Sequence, residues 1–174
     1  MPELVLTIRE LEPTDIVALG SIALDALMDA PSSVQEFDEV PGSPLILGEE
    51  ISNLDEPGLR PLVAETSDEL AGFAAFERRS MARSHHVVEV RLLVHPQARG
   101  QGIGRRLMQA VNRKFAQDPG VGKLVMIVAA DDDALLKVVQ DTPGWVIEQR
   151  ATGAWARDDH RVDVESWANL EVGA

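Results

Sequence analysis

The sequence predicts a mixed α/β domain in which a mostly antiparallel sheet is flanked by helices and carries one locally parallel strand pair. Three observations predict it. A β-rich run at 87–94 leads through a glycine-rich loop into an amphipathic stretch at 103–115 and then into the unbroken apolar run 124–128, which is the order of a βαβ unit. Two shorter β-rich runs, 62–65 and 70–76, are separated only by Thr66-Ser67-Asp68-Glu69, a turn-rich link that makes them a hairpin. Near the other end, 145–155 and 161–170 read as a closing antiparallel pair.

In chain order, residues 4–9 alternate apolar and polar side chains as a half-buried strand does. Glu12-Pro13-Thr14-Asp15 then opens a helix, in which Ile16, Leu19, Ile22, Ala23, Ala26 and Leu27 recur at helical spacing until shortly before Pro31. Residues 31–61 are rich in Pro, Gly, Ser and acid and read as a long loop with one short helix around 47–54. The helix after the glycine loop carries Ile103, Leu107, Met108, Val111 and Phe115 on one face. The run 124–128 shows no alternation, as befits a parallel strand covered on both faces, and a short acidic-capped helix over 132–140 ends at Pro143-Gly144.

The 174 residues are 45% hydrophobic, sufficient for a core, and a single domain over 1–174 is expected. No apolar stretch approaches the roughly 20 residues of a membrane span. Residues 1–9 lack the basic and long apolar regions of a secretory signal, so a cytoplasmic location is expected, with no membrane partner. The absence of cysteine excludes disulfides, thiolate metal sites and a cysteine nucleophile. A net charge of −13 argues against nucleic acid as a partner.

The charge is unevenly spread. Residues 10–59 contain no lysine or arginine and many carboxylates, whereas 78–123 hold Arg78, Arg79, Arg83, Arg91, Arg99, Arg105, Arg106, Arg113, Lys114 and Lys123 against only Glu89 and Asp118. Both runs could be solvated faces, but the glycine motif lies inside the basic one. Glycines at 100, 102 and 104 allow a tight turn that aims successive N–H groups at a ligand, where the positive end of the helix dipole adds to them. Such a loop binds phosphate oxygens. It is not a Walker loop, since no Gly-Lys-Ser or Gly-Lys-Thr follows. Nor is it the dinucleotide fingerprint, since Gly104 arrives one residue early.

With its lead-in Val94-His95-Pro96, the segment Arg99-Gly100-Gln101-Gly102-Ile103-Gly104 resembles the acetyl-CoA motif of the GNAT superfamily of N-acyltransferases, R/Q-x-x-G-x-G/A after a strand. The resemblance extends to 89–94 as the family's fourth strand, to 124–128 as its fifth, and to Asp131-Asp132-Asp133-Ala134 through Gly144-Trp145 as its next motif. It implies the GNAT fold, acetyl-CoA as co-substrate with no metal, and transfer of the acetyl group to a primary amine in a ternary complex. In the family the loop N–H groups hold the pyrophosphate, and the fourth strand pairs with pantetheine and helps polarise the thioester. Carried over, these roles fall on Arg99, Gly100, Gln101, Gly102, Ile103, Gly104 and Arg105, and on Leu92, Leu93 and Val94. The family's acceptor often enters between the first helices, here the anionic stretch 10–59, which implies a small-molecule or peptide acceptor of cationic character. An apolar final strand is compatible with a homodimer.

The sequence departs from the family in two places. It has no tyrosine to protonate the leaving thiolate, and Gln140 or a neighbour occupies that region. Either the proton comes from water, or the protein is a coenzyme A-binding regulatory module with little turnover. The family's frequent asparagine is Asp131, which keeps hydrogen-bond acceptors and loses an amide donor. For the base, Glu89 lies on the strand that flanks the thioester and is the first candidate, the alternative being a surface charge or a pair with Arg91. His85 and His86 read as an exposed loop, and Trp145, Trp155 and Trp167 as core or interface.

Overall fold

A computed structural model of the chain describes residues 5–29, 43–52, 55–67, 69–157 and 160–173. Its strands are β1 (Leu6–Glu10), β2 (Leu62–Thr66), β3 (Glu69–Arg78), β4 (Val87–Val94), β5 (Lys123–Ala129), β6 (Trp145–Arg157) and β7 (His160–Asn169). They form one sheet in the order β1-β2-β3-β4-β5-β7-β6. Every neighbouring pair is antiparallel except β4 and β5, which run parallel as the βαβ reading requires. The expected hairpin is β2–β3, with Ser67 in the left-handed region at φ 48° in its turn. The closing pair is β6–β7, and β7 inserts between β5 and β6.

Period-two alternation along β3 sorts its side chains onto two layers of helix. Phe73 and Ala75 join Val63 and Leu93 beneath α1 (Ile16–Asp29) and α2 (Pro44–Ser52), packing on Leu19, Ile22, Leu47 and Ile51. Ala74 and Phe76 face α3 (Ile103–Phe115) and α4 (Asp133–Gln140), together with Val88, Val90, Leu124, Met126 and Val128. The apolar face expected of α3 is buried throughout, and its Phe115 meets Phe76 edge-on with ring centroids 4.9 Å apart. Each such fully buried large side chain stabilises the fold by about 1.5–3 kcal/mol. Trp145 and Trp167 are buried in the same cluster, as core tryptophans. Helix α2 begins earlier than the sequence suggested, because Pro44 occupies its first turn while the Leu47 N–H donates to the Ser43 carbonyl at 3.2 Å. The acidic residues of 30–42 lie outside the described residues, Glu36, Asp38 and Glu39 among them.

The expected helix opening is a 3-10 turn, Pro13–Asp15, that leads into α1. Asp15 organises it: its carboxylate accepts from the Glu12 N–H at 2.8 Å and from the Arg9 guanidinium at 2.6 and 3.0 Å. Arg9 also donates to Glu65 at 2.9 Å, so one guanidinium ties β1, β2 and the start of α1. The Arg9 hydrogen bonds, aided by the Glu12 N–H, outweigh partial burial and hold the Asp15 carboxyl below the usual carboxylate range. A depressed folded-state pKa contributes stability that is complete above about pH 4, the unfolded value, and is lost as pH falls through the folded value. Asp15→Asn should therefore lower stability by about 1–3 kcal/mol at pH 7, with the gap to the native chain closing under acid. Urea denaturation at pH 7 and pH 3 checks both parts.

Candidate active site

The parallel ladder between β4 and β5 is short, pairing only Val87, Val88 and Glu89 with Lys123, Leu124 and Val125. Beyond it the strands diverge: β4 continues to Val94 paired with β3, and β5 continues to Ala129 paired with β7. The β5-facing edge of β4 from Val90 onward therefore has no strand partner among the described residues. Apart from the Val94 carbonyl, which accepts from Arg99, the outward N–H and C=O groups of that edge can meet an extended ligand lying in the wedge.

The glycine loop closes the wide end of this wedge. After the 3-10 turn Pro96–Ala98, both Gly100 and Gly102 take φ 77°, a left-handed conformation that L side chains rarely adopt, and Gly102 is the residue before α3. A Cβ at either position would meet no atom within 4 Å, so their shape is not imposed by close packing; the space lies open to a ligand. No side chain caps α3, its first turn has no acidic residue, and Arg105 and Arg106 follow instead. Cations at a helix N-terminus oppose the dipole, and a bound anion relieves both the dipole and the uncapped N–H groups. The loop is tied back at its start: Arg99 donates to the Val94 carbonyl at 3.4 Å. The Gln97 N–H donates to His95 Nδ1 at 3.3 Å, leaving His95 Nε2 to face Asp25 of α1, also at 3.3 Å.

Between loop and wedge lies a cleft of about 480 Å³, within the range of small-molecule sites. Leu92, Leu93, Val94, Arg99, Gly100, Gly102, Ile103, Gly104 and Arg105 all line it, so the structure gathers nearly every residue assigned to the coenzyme from sequence. Gln101 is exposed and is not part of the lining. The sequence reading missed the opposite wall, formed by Ala134 and Val138 of α4 with Asp141 just after it, and missed Ala26 of α1. The spacing 134, 138, 141 is one helical stripe, a signal present in the sequence but masked by the apolar residues that α4 also turns to the core. In the region where a proton-donating tyrosine was sought, Val138 faces the cleft and would lie 3.3 Å from a Cβ on Gly104, while Gln140 is exposed. Asp131 is exposed as well; the neighbouring Asp132 lines the cleft and caps α4 by accepting from the Leu135 N–H at 3.0 Å.

Glu89 sits at the apex of the wedge, the last β4 residue paired to β5. It lies directly across from Glu77 of β3, and its side chain is 19% exposed. Arg91 of the same strand face donates to Glu77 at 2.9 Å and lies 3.7 Å from Glu89, the pairing offered by the sequence as the alternative to a base. His85 and His86 are exposed beside the strand, as expected. Among the described residues there is no cluster of three or more His, Asp or Glu placed to hold a metal ion, and no helix is long and apolar enough to cross a membrane.

The seven-stranded sheet with its one parallel pair, and the left-handed glycine loop that follows β4, are features this chain shares with known proteins. Residues 23–140, more than half of the chain, match the acetyltransferase (GNAT) family. The chain belongs to the GNAT acetyltransferase family. A search of curated proteins gives no significant match. Solved structures share the fold at low identity. A GNAT-family acetyltransferase from Streptococcus pneumoniae superposes with a TM-score of 0.80 at 19% identity, covering 95% of this chain and 99% of that one. The phosphinothricin acetyltransferase of Sinorhizobium meliloti, solved in complex with acetyl-CoA, gives 0.80 at 17%, covering 94% and 87%. The ribosomal-protein-alanine N-acetyltransferase of Brucella melitensis gives 0.78 at 22%, covering 94% and 99%.

Proposed function

We propose that the protein is an N-acetyltransferase that moves an acetyl group from acetyl-CoA to a primary amine of a small acceptor that is cationic in its resting form, by direct attack in a ternary complex. The observation that carries this reading is the wedge of β4 and β5 closed by the left-handed loop at Gly100 and Gly102. In that reading Arg99, Gly100, Gln101, Gly102, Ile103, Gly104 and Arg105 hold the pyrophosphate, Gln101 through its backbone alone. The free edge of β4 at Leu92, Leu93 and Val94 pairs with the pantetheine arm. Acetyl-CoA supplies an activated acyl group, so neither a metal nor a covalent enzyme intermediate is required.

The chemistry then balances as follows. Glu89 accepts a proton from the acceptor ammonium, directly or through water. The freed nitrogen attacks the thioester carbonyl carbon, the C–N bond forms, the nitrogen gives up its second proton to water, and the C–S bond breaks with its electron pair leaving on sulfur. The thiolate is protonated from water, because Val138 forms the cleft wall nearest α3 and no hydroxyl side chain is among the described residues that line the cleft. The products are the acetylamide and the coenzyme thiol. In kinetic terms Glu89→Gln should lower kcat by about 100-fold or more with little change in the affinity for acetyl-CoA, and its residual rate should climb with pH as the free-amine fraction of the acceptor rises. Thiol release from acetyl-CoA across a panel of primary amines tests the reading. A variant as fast as the native chain would remove Glu89 from the base role. A coenzyme A-binding module without turnover is the second reading, favoured by the absent tyrosine, and is indicated by coenzyme binding with no thiol released on any amine.

A further inference from the structure

A second hollow, of about 240 Å³, lies at the apex end of β4 and is lined by Glu77, Arg78, Arg79, Ser80, Met81 and Glu89. It adjoins the reacting centre proposed above, because the wedge opens one residue beyond Glu89. From Val94 at the loop to Val90 at the start of the opening, β4 rises about 13 Å, the span the pantetheine arm must cover.

Its charges are arranged in two parts. At one side Glu77 and Glu89 are paired across the ladder, with Arg91 bound between them. At the other side stand two arginines with different commitments. Arg78 is structural: its guanidinium donates to the carbonyls of His85 at 2.9 Å and Gly120 at 2.8 Å and reaches Glu56 at 3.4 Å. The Arg79 backbone N–H donates to Val87 at 3.1 Å, and its exposed side chain has no hydrogen-bond or ion-pair partner among the described residues. Met81, 71% exposed, is beside it and adds a flexible apolar surface.

We propose that this hollow receives the acceptor, and that the acceptor is a small dipolar amine whose ammonium group is met by Glu89 and Glu77 while a carboxylate a few bonds away is held by Arg79. The inference rests on the reading of the protein as an amine acetyltransferase and replaces a net-cationic acceptor with one whose ammonium is balanced by its own carboxylate. A guanidinium matches a carboxylate in two parallel hydrogen bonds, which an ammonium cannot offer or accept. An acceptor that is cationic at both ends, such as a polyamine, would set its second ammonium against Arg79. The hollow holds about eight waters' volume at roughly 30 Å³ each, enough for a compact amino acid but not for a multi-ring amine without much of it protruding.

The test compares amino acids with the amines left when their carboxylate is removed, reading kcat/KM for acetylation by the full chain. The carboxylate-bearing acceptor should be preferred by about tenfold to a hundredfold, the preference should lie in KM, and Arg79→Ala should collapse it towards one while Arg79→Lys keeps part of it. Calorimetric titration with acetyl-CoA, run alongside, shows that each variant is folded. Equal use of the paired acceptors, or a preference that survives Arg79→Ala, would overturn this inference and leave amine acetylation standing. Failure to acetylate any amine, in a protein that still binds acetyl-CoA, would sink the proposed function itself and this inference with it.

Discussion

Gly102→Asp should reduce acetyl-CoA binding by about 60-fold or more while lowering Tm by no more than the roughly 2–8 °C that its backbone strain accounts for. Two terms add. Gly102 holds φ 77° at the head of α3, and a non-glycine residue there costs about 1–2 kcal/mol in the conformation that aims the loop N–H groups. The carboxylate then competes for the N–H groups of the first turn and repels the pyrophosphate, a further loss of about 1.5–3 kcal/mol for charge-assisted hydrogen bonds. The two together, about 2.5–5 kcal/mol, correspond to roughly 60-fold to 4,000-fold. Because a Cβ at Gly102 meets nothing within 4 Å, the fold itself is not overpacked. Calorimetry gives the affinity and a melting curve gives the control. Binding within fivefold of the native chain would mean that the loop is only a connection between β4 and α3.

The second large effect is on folding. Helices α1 and α2 cross at glycines: a Cβ on Gly20 would lie 1.7 Å from the Pro44 carbonyl oxygen, and one on Gly48 1.9 Å from the Ile16 carbonyl oxygen. Both obstacles are backbone, so no rotamer change relieves them. To regain ordinary contact near 3.4 Å the helices must separate by more than 1 Å, loosening Leu19, Leu47 and Ile51 over the β2–β3–β4 face. Overpacking of this kind costs about 3 kcal/mol at the upper end of its usual range, which for a domain of this size lowers Tm by about 6–12 °C. Gly48→Ala should show that drop in a thermal melt, whereas Gly58→Ala, where a Cβ meets nothing within 4 Å, should not. Equal melting temperatures for the two variants would show that the α1–α2 crossing yields without loss.

What the sequence revealed and what it hid follow from the range of the interactions. The βαβ unit, the hairpin and the closing pair are encoded by neighbouring residues, and periodicity together with turn chemistry was enough to find them. The glycine loop was legible for the same reason, because the left-handed turns at Gly100 and Gly102 are written in its own residues. The cleft's far wall was not, since Val138 and Asp141 reach it only after α4 packs against α3. Glu77 is another example: nothing near it in the chain marks it as a site residue, and it meets Glu89 only through the β3–β4 register. The glycine crossing joins two positions from separate helices, and a glycine read along one helix signals only weakness. The partial divergence of β4 and β5 has no counterpart in local pattern, because both strands remain β-rich along their full length.

Product identity decides whether the chain acetylates amines: the protein is incubated with acetyl-CoA and a compact amino acid, and free thiol, acetylated amine and free acetate are quantified by mass spectrometry and thiol titration. One acetylamide should form for each thiol released, with little acetate and with the yield sharply lowered by Gly102→Asp at sub-saturating acetyl-CoA. Thiol release matched by acetate, or bound coenzyme with no acetylated amine from any acceptor, would contradict amine acetylation.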